Sequence, residues 1–243
     1  MLRRLPITLC LALFALMPQN TWAQENEDAE VDTMKVNFFN GVAVHIDAIG
    51  AIQMATSDHG QWEVGLRVNL KDKYFPAFEV GYGKADESDD YVTDSWCKTK
   101  APYFRIGCDY NILRNKHDAY KAFVGLRYGF SKFDYDMTVK TDTETQTEQT
   151  TENEDGTTTT ETVTTTTTTY PEYDGLNATC HWLEAVFGVD AKIWGPLHLG
   201  WDVRYRRMLS NKHSDADEPW YIPGFGNKKT AGFTAMFNIT LAI

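Results

Sequence analysis

Apolar and polar residues alternate with a period of two along most of this chain. From Leu183, LEAVFGVDAKIW sets Leu183, Ala185, Phe187, Val189, Ala191 and Ile193 on one face. The opposite face carries Glu184, Gly188, Asp190 and Lys192. After Gly195-Pro196, LHLGWDVRYRRML repeats the pattern, with Leu197, Leu199, Trp201, Val203 and Tyr205 against His198, Gly200, Asp202, Arg204 and Arg206. Such alternation defines antiparallel strands with unlike faces. The same parity predicts strands at about 41–54, 62–70, 74–84, 102–112, 120–131 and 230–243, making eight with the two above. Each is close to the roughly 9–11 residues a tilted strand needs to cross a bilayer.

The connections sort by length. Lys71-Asp72-Lys73, Leu113–Ala119 and Gly195-Pro196 are short, whereas Ala85–Ala101, Lys132–His181 and Ser210–Lys229 are long and polar. Only the first connection, around Ser57–Gln61, is short on the long-loop side. Short turns on one rim and long loops on the other mark an outer-membrane barrel. The predicted fold is therefore all-β, an eight-stranded antiparallel up-and-down transmembrane β-barrel with a filled polar lumen. Its apolar face should meet lipid, with aromatic girdles of Trp62, Tyr82, Tyr103, Phe130 and Trp182 on one rim and Tyr74, Phe75, Tyr120 and Trp194 on the other.

The polar face carries both signs of charge. Glu63, Glu79, Asp109, Glu184, Asp190 and Asp202 oppose Arg67, Arg105, Lys121, Arg127, Lys192, Arg204 and Arg206. An eight-stranded barrel is only wide enough for side chains to fill. An isolated buried ion costs several kcal/mol, so these charges should pair in a closed network.

The ends of the chain and its composition refine this picture. Residues 1–23 read as a secretory signal peptide: Arg3 and Arg4, an apolar LPITLCLALFALM, then Thr21-Trp22-Ala23 before the cut. Residues 24–40 would form a periplasmic segment and 41–243 the barrel, giving an outer-membrane location in a Gram-negative cell with the long loops outside. Formal net charge is -11, which leaves no basic surface for nucleic acid. Residues 140–169 are almost all Thr and Glu and have no apolar face, so a solvated surface loop is expected. Of the cysteines beyond residue 23, Cys108 shares parity with Phe104 and Ile106 and should face outward. Cys97 and Cys180 lie near loop–strand junctions, where one disulfide and two separate thiols are both open readings.

Several segments resemble a family of small barrels of unknown function from Bacteroidota: LKDKYFPAFEVGYG, APYFRIGCDYNIL, NKHDAYKAFVGLRYGF, HWLEAVFGVDAKIWGPLHLGWDVRYR and WYIPGFG. The resemblance covers nearly all of the chain after the leader except the Thr/Glu loop. It implies an outer-membrane barrel of the OmpA/OmpX size class and brings no catalytic residue or ligand with it. Asp32-Thr33-Met34 fits the short tripeptide that Bacteroidota glycosylate.

The candidates for catalysis are His45 with Asp47, His198 with lumen carboxylates, and His181 beside Trp182. An active set needs a nucleophile, a base and an orienting acid in hydrogen-bond reach. No serine shares the His45 face, so salt-bridge packing is the stronger reading. In the last long loop, Asp215, Trp220, Tyr221 and Phe225 form an acidic, aromatic patch suited either to surface recognition or to packing on the rim. The reading is a monomeric barrel of structural or surface-interaction type, its partners being membrane lipid and an unidentified surface ligand or protein, with no cofactor, no metal and no nucleic acid. The alternatives are an outer-membrane enzyme acting on lipid or glycan and a soluble lipocalin-like carrier.

Overall fold

The chain divides into a segment Met1–Lys35 and a body Val36–Ile243. The computed structural model describes residues 37–89, 95–113, 119–152, 158–214, 218–227 and 229–243. The expected signal peptide, the Asp32-Thr33-Met34 tripeptide and Asp215 lie outside the described residues.

In chain order the elements are β1 (Phe39–Asp47), α1 (Ala48–Thr56), β2 (Gly60–Leu70), β3 (Tyr74–Asp89), β4 (Ser95–Asn111), β5 (Tyr120–Thr138), β6 (Thr141–Glu152), β7 (Thr158–Thr169), β8 (Glu172–Trp194), β9 (Leu197–His213), β10 (Tyr221–Ile222), β11 (Gly226–Asn227) and β12 (Ala231–Ala242). Eight of these strands form one antiparallel sheet in the order β1-β12-β9-β8-β5-β4-β3-β2. Val44 pairs with Leu241 on one side and Leu66 on the other, so the sheet closes into a barrel. A closed sheet leaves no unpaired edge.

At the short-turn end, Lys71 and Asp72 both adopt positive φ (57° and 53°), and the Lys73 N–H donates to the Leu70 carbonyl at 3.1 Å. This is the mirror-image turn that matches strand twist, here without glycine. Asn side chains stabilise it instead: the Asn69 amide donates to Asp72 Oδ1 (2.5 Å), and Asn69 Oδ1 accepts from the Asp72 N–H (2.9 Å).

Three expectations are corrected. The first strand stops at Asp47, and Ala48–Thr56 is helical. The segment AIGAIQMAT has runs of apolar residues and no alternation, so no sheet face can be assigned to it. Residues 140–169 are not an irregular loop, because β6 and β7 pair in full register from Thr141↔Thr169 to Glu152↔Thr158. Facing threonines favour the extended backbone even where nothing is buried. Finally, Tyr103, Trp182 and Phe75 are buried inside rather than girdling the rim. Each shares parity with an inward charge: Tyr103 with Arg105, Trp182 with Glu184, Phe75 with Glu79.

The strands also run well past their expected ends, and their faces exchange character as they do so. On β5, Arg127 is buried and Leu126 is 67% exposed; beyond Ser131 the buried residues are Phe133, Tyr135 and Met137, and Lys132 and Asp134 face out. On β4, Ile106 is 61% exposed over buried Arg105, whereas Lys98 and Lys100 are exposed over buried Cys97 and Ala101. β8 changes at Trp182 in the same way, with exposed Asn177 over buried Ala178. The barrel thus has an apolar outside and charged inside over one band, and a polar outside and apolar inside above it.

Candidate functional site: a charge cluster sealed by a loop

The lower interior is built from side chains that the period of two turns inward. Glu63 and Arg67 come from β2, Glu79 from β3, Arg105 and Asp109 from β4, Arg127 from β5, Glu184 from β8, and Asp202 and Arg204 from β9. All are buried. Arg127 donates from Nη1 and Nη2 to the two oxygens of Asp109, each at 2.7 Å, and from Nε to Glu79 Oε1 at 3.1 Å. Arg204 donates from Nε to Asp202 Oδ1 and from Nη1 to Glu79 Oε2, both at 2.8 Å, and its Nη1 lies 3.2 Å from Glu63 Oε1. Arg105 contacts Glu63 and places Nε 2.9 Å from Glu184 Oε1.

Arg204 and Glu79 stand on strands that are not neighbours in the sheet, so their bond crosses the lumen. Such paired charges are each other's solvation; removing one leaves its partner buried and uncompensated. Gly125 shows how tight this packing is, since a Cβ there would lie 1.9 Å from Asp109 Oδ1.

Apolar packing seals the cluster from above. Tyr103, Trp182, Phe133, Tyr135, Cys97 and Cys180 enclose Trp220, Tyr221, Ile222 and Phe225 from the loop between β9 and β12. The Gly224 carbonyl accepts from Arg105 Nη2 (2.6 Å) and Arg206 Nη1 (3.0 Å), and the Tyr221 hydroxyl donates to the Gly60 carbonyl (3.1 Å). Tyr103 and Trp182 join the two layers, donating to Glu63 Oε2 (3.0 Å) and Glu184 Oε1 (2.7 Å).

Trp220, Tyr221 and Phe225 are therefore not a recognition patch: they are 7%, 3% and 3% exposed and fold into the mouth as a plug. The signal for this was in the sequence, where the inward faces of the extended strands turn apolar and so require an apolar partner. Lys192 is also misplaced by the parity argument, being exposed at the short-turn rim. Asp190 is buried, but its partner is His198 Nδ1, at 2.5 Å.

Cys97 and Cys180 are buried and free. Cys97 stands opposite Met137 and Cys180 opposite Ser131, on the two sides of β5. Six residues along a strand is roughly 20 Å, far beyond the roughly 4.4–6.8 Å between Cα atoms of a disulfide. Of the two open readings, the structure supports two separate thiols. Burial pushes both thiols up to about 12.

Among the described residues, His45, Glu63 and Glu79 bring ligand atoms within 4.8 Å of one another. Arg105, Arg127 and Arg204 already engage those carboxylates. Of the candidates for catalysis, His198 and Asp190 form a base–acid pair opposite Thr240, but among the described residues the Thr240 hydroxyl makes no hydrogen bond. His181 lies half-buried on the outer surface, bonded to the Tyr128 hydroxyl at 2.5 Å and packed on Phe130.

Fold and interior together define a β-barrel whose core is ionic at one level and aromatic at the next. The chain belongs to the family described as a domain of unknown function, DUF6048, which spans residues 4–243. No curated protein and no solved structure matches it.

Proposed function

We propose that this chain is an outer-membrane β-barrel of structural or surface-interaction type, exported by a leader over residues 1–23. The observation that carries the reading is the exposed apolar band. Ile106, Leu126, Phe187, Tyr205, Phe233 and Leu241 are between 41% and 75% exposed on strands that surround the barrel. Water-soluble monomers rarely leave so continuous an apolar surface bare. On β5 the band runs from Tyr120 to Phe130 before the faces exchange. Eleven residues rising about 3.3 Å each, tilted by about 40°, span about 25–28 Å, close to the apolar height of such barrels.

On this reading the charges hold the wall rigid from within, and the long-loop end is what the cell displays. The β6–β7 hairpin projects from that end, with its described side chains exposed. A carrier would need a large apolar cavity, whereas here paired charges crowd the middle of the barrel and the plug fills the upper part. Cell fractionation tests the proposal. The protein should need detergent for extraction, and proteinase K on intact cells should cut between residues 141 and 169. Recovery in an aqueous periplasmic extract would reject it.

A further inference from the structure

The short-turn end holds a feature that the surface role does not use. A cavity of about 190 Å³ opens there, beside the Gly195-Pro196 turn and the end of the chain at Ile243. Its walls carry Arg67, Lys121 and Lys192. The Arg67 guanidinium carbon sits 4.5 Å over the Phe123 ring, and Lys121 Nζ is 5.5 Å from the Phe75 ring centre. Both aromatic rings line the same cavity.

The anions on its wall already have partners. Asp109 accepts two hydrogen bonds from Arg127, and Asp190 is bound to His198. The lining cations are less well satisfied. Arg67 is 6% exposed, and its Nε and Nη2 make no hydrogen bond among the described residues, with only Asp109 Oδ2 at 3.3 Å from Nε. Neither Lys121 nor Lys192 forms an ion pair among the described residues. The lining side chains thus carry three cations (Arg67, Lys121, Lys192) against two carboxylates (Asp109, Asp190), each of which is already bound to another partner.

We infer that this cavity binds a small organic monoanion, a carboxylate carried on a flat apolar body. One surplus positive charge matches one carboxylate. A guanidinium stacked on a ring still has its edge free for a planar acid. Phe75 and Phe123 provide the apolar walls. The volume is below the roughly 300 Å³ at which drug-sized pockets begin, so the ligand is small. Insertion in a membrane is not needed for this site, which stands on the barrel interior alone.

The probe is benzoate, with neutral, equally flat benzamide as control, titrated into the refolded chain lacking residues 1–23 in detergent and followed by saturation-transfer NMR. Saturable benzoate binding is expected, with benzamide at least tenfold weaker. A K121Q/K192Q double variant, altered only at the rim, should keep its gel mobility and lose at least tenfold in benzoate affinity. Absence of saturable benzoate binding would overturn the inference, as would equal binding of benzamide. The comparison of the two ligands on the unaltered chain decides the matter even if the variant fails to refold.

Discussion

Arg127 and Asp109 face each other from adjacent strands and share two parallel hydrogen bonds of 2.7 Å, sealed from water. The pair is also tied to Glu79 through Arg127 Nε. Truncating one member strands the other. R127A should lower the free energy of unfolding by about 3–5 kcal/mol, read from urea titration in detergent. R127K should recover only part of that loss, because it restores the charge but not the two parallel hydrogen bonds to Asp109. Equal stability of R127A and the unaltered chain would show that the cluster is not closed.

Tight packing around Asp109 gives a second test. At Gly125 an added Cβ would lie 1.9 Å from Asp109 Oδ1 and 3.0 Å from the Cys108 carbonyl oxygen. G125V should therefore prevent refolding or shift the urea midpoint at least as far as R127A does, since overpacking here also breaks an ion pair. A variant folding normally would mean that the β4–β5 wall can give way.

The plug hinges on Gly224, whose φ of +84° favours glycine and whose Cβ would meet the Tyr103 ring at 2.5 Å. G224V should expel the loop and free Arg105 and Arg206 from its carbonyl. Chymotrypsin should then cut after Tyr221 or Phe225, both buried in the unaltered chain, with the eight-stranded core still resistant. Unchanged proteolysis would contradict the plug.

Thiol chemistry reports on the upper layer. Burial lifts Cys97 and Cys180 from an ordinary 9.0 to about 12. Raised values mean that the folded state holds these protons more tightly, so their contribution is intact below pH 9 and lost as pH climbs toward 12. Iodoacetamide at pH 8 should leave both unmodified in the folded chain and react fully in urea, and the urea midpoint should fall between pH 9 and 11. Rapid modification at pH 8 in the folded chain would refute this.

Much of the fold was legible because a strand's period of two leaves little freedom. Once Arg105, Arg127 and Arg204 were placed on one face, Leu126 and Tyr205 had to take the other. What escaped was where the faces exchange character. Phe133, Tyr135 and Met137 alternate as cleanly as Ala122, Val124 and Leu126, but with opposite parity. A single parity rule makes this segment a loop and makes Tyr103 and Trp182 rim aromatics. Pairings across the lumen, such as Arg204 with Glu79, were not legible, because strand parity says which way a side chain points and not what stands opposite. The α1 helix and the β6–β7 hairpin escaped for a simpler reason: neither buries a regular face that a pattern could reveal.

The central claim is that acyl chains cover the apolar band, and Cys108 sits in it, exposed between Ile106 and Tyr110. A C97A/C180A variant lacking residues 1–23, spin-labelled at Cys108 and refolded into phospholipid vesicles, reads this directly by electron paramagnetic resonance. A label accessible to oxygen and shielded from a water-soluble nickel chelate is the predicted result; ready collision with the chelate would contradict the account.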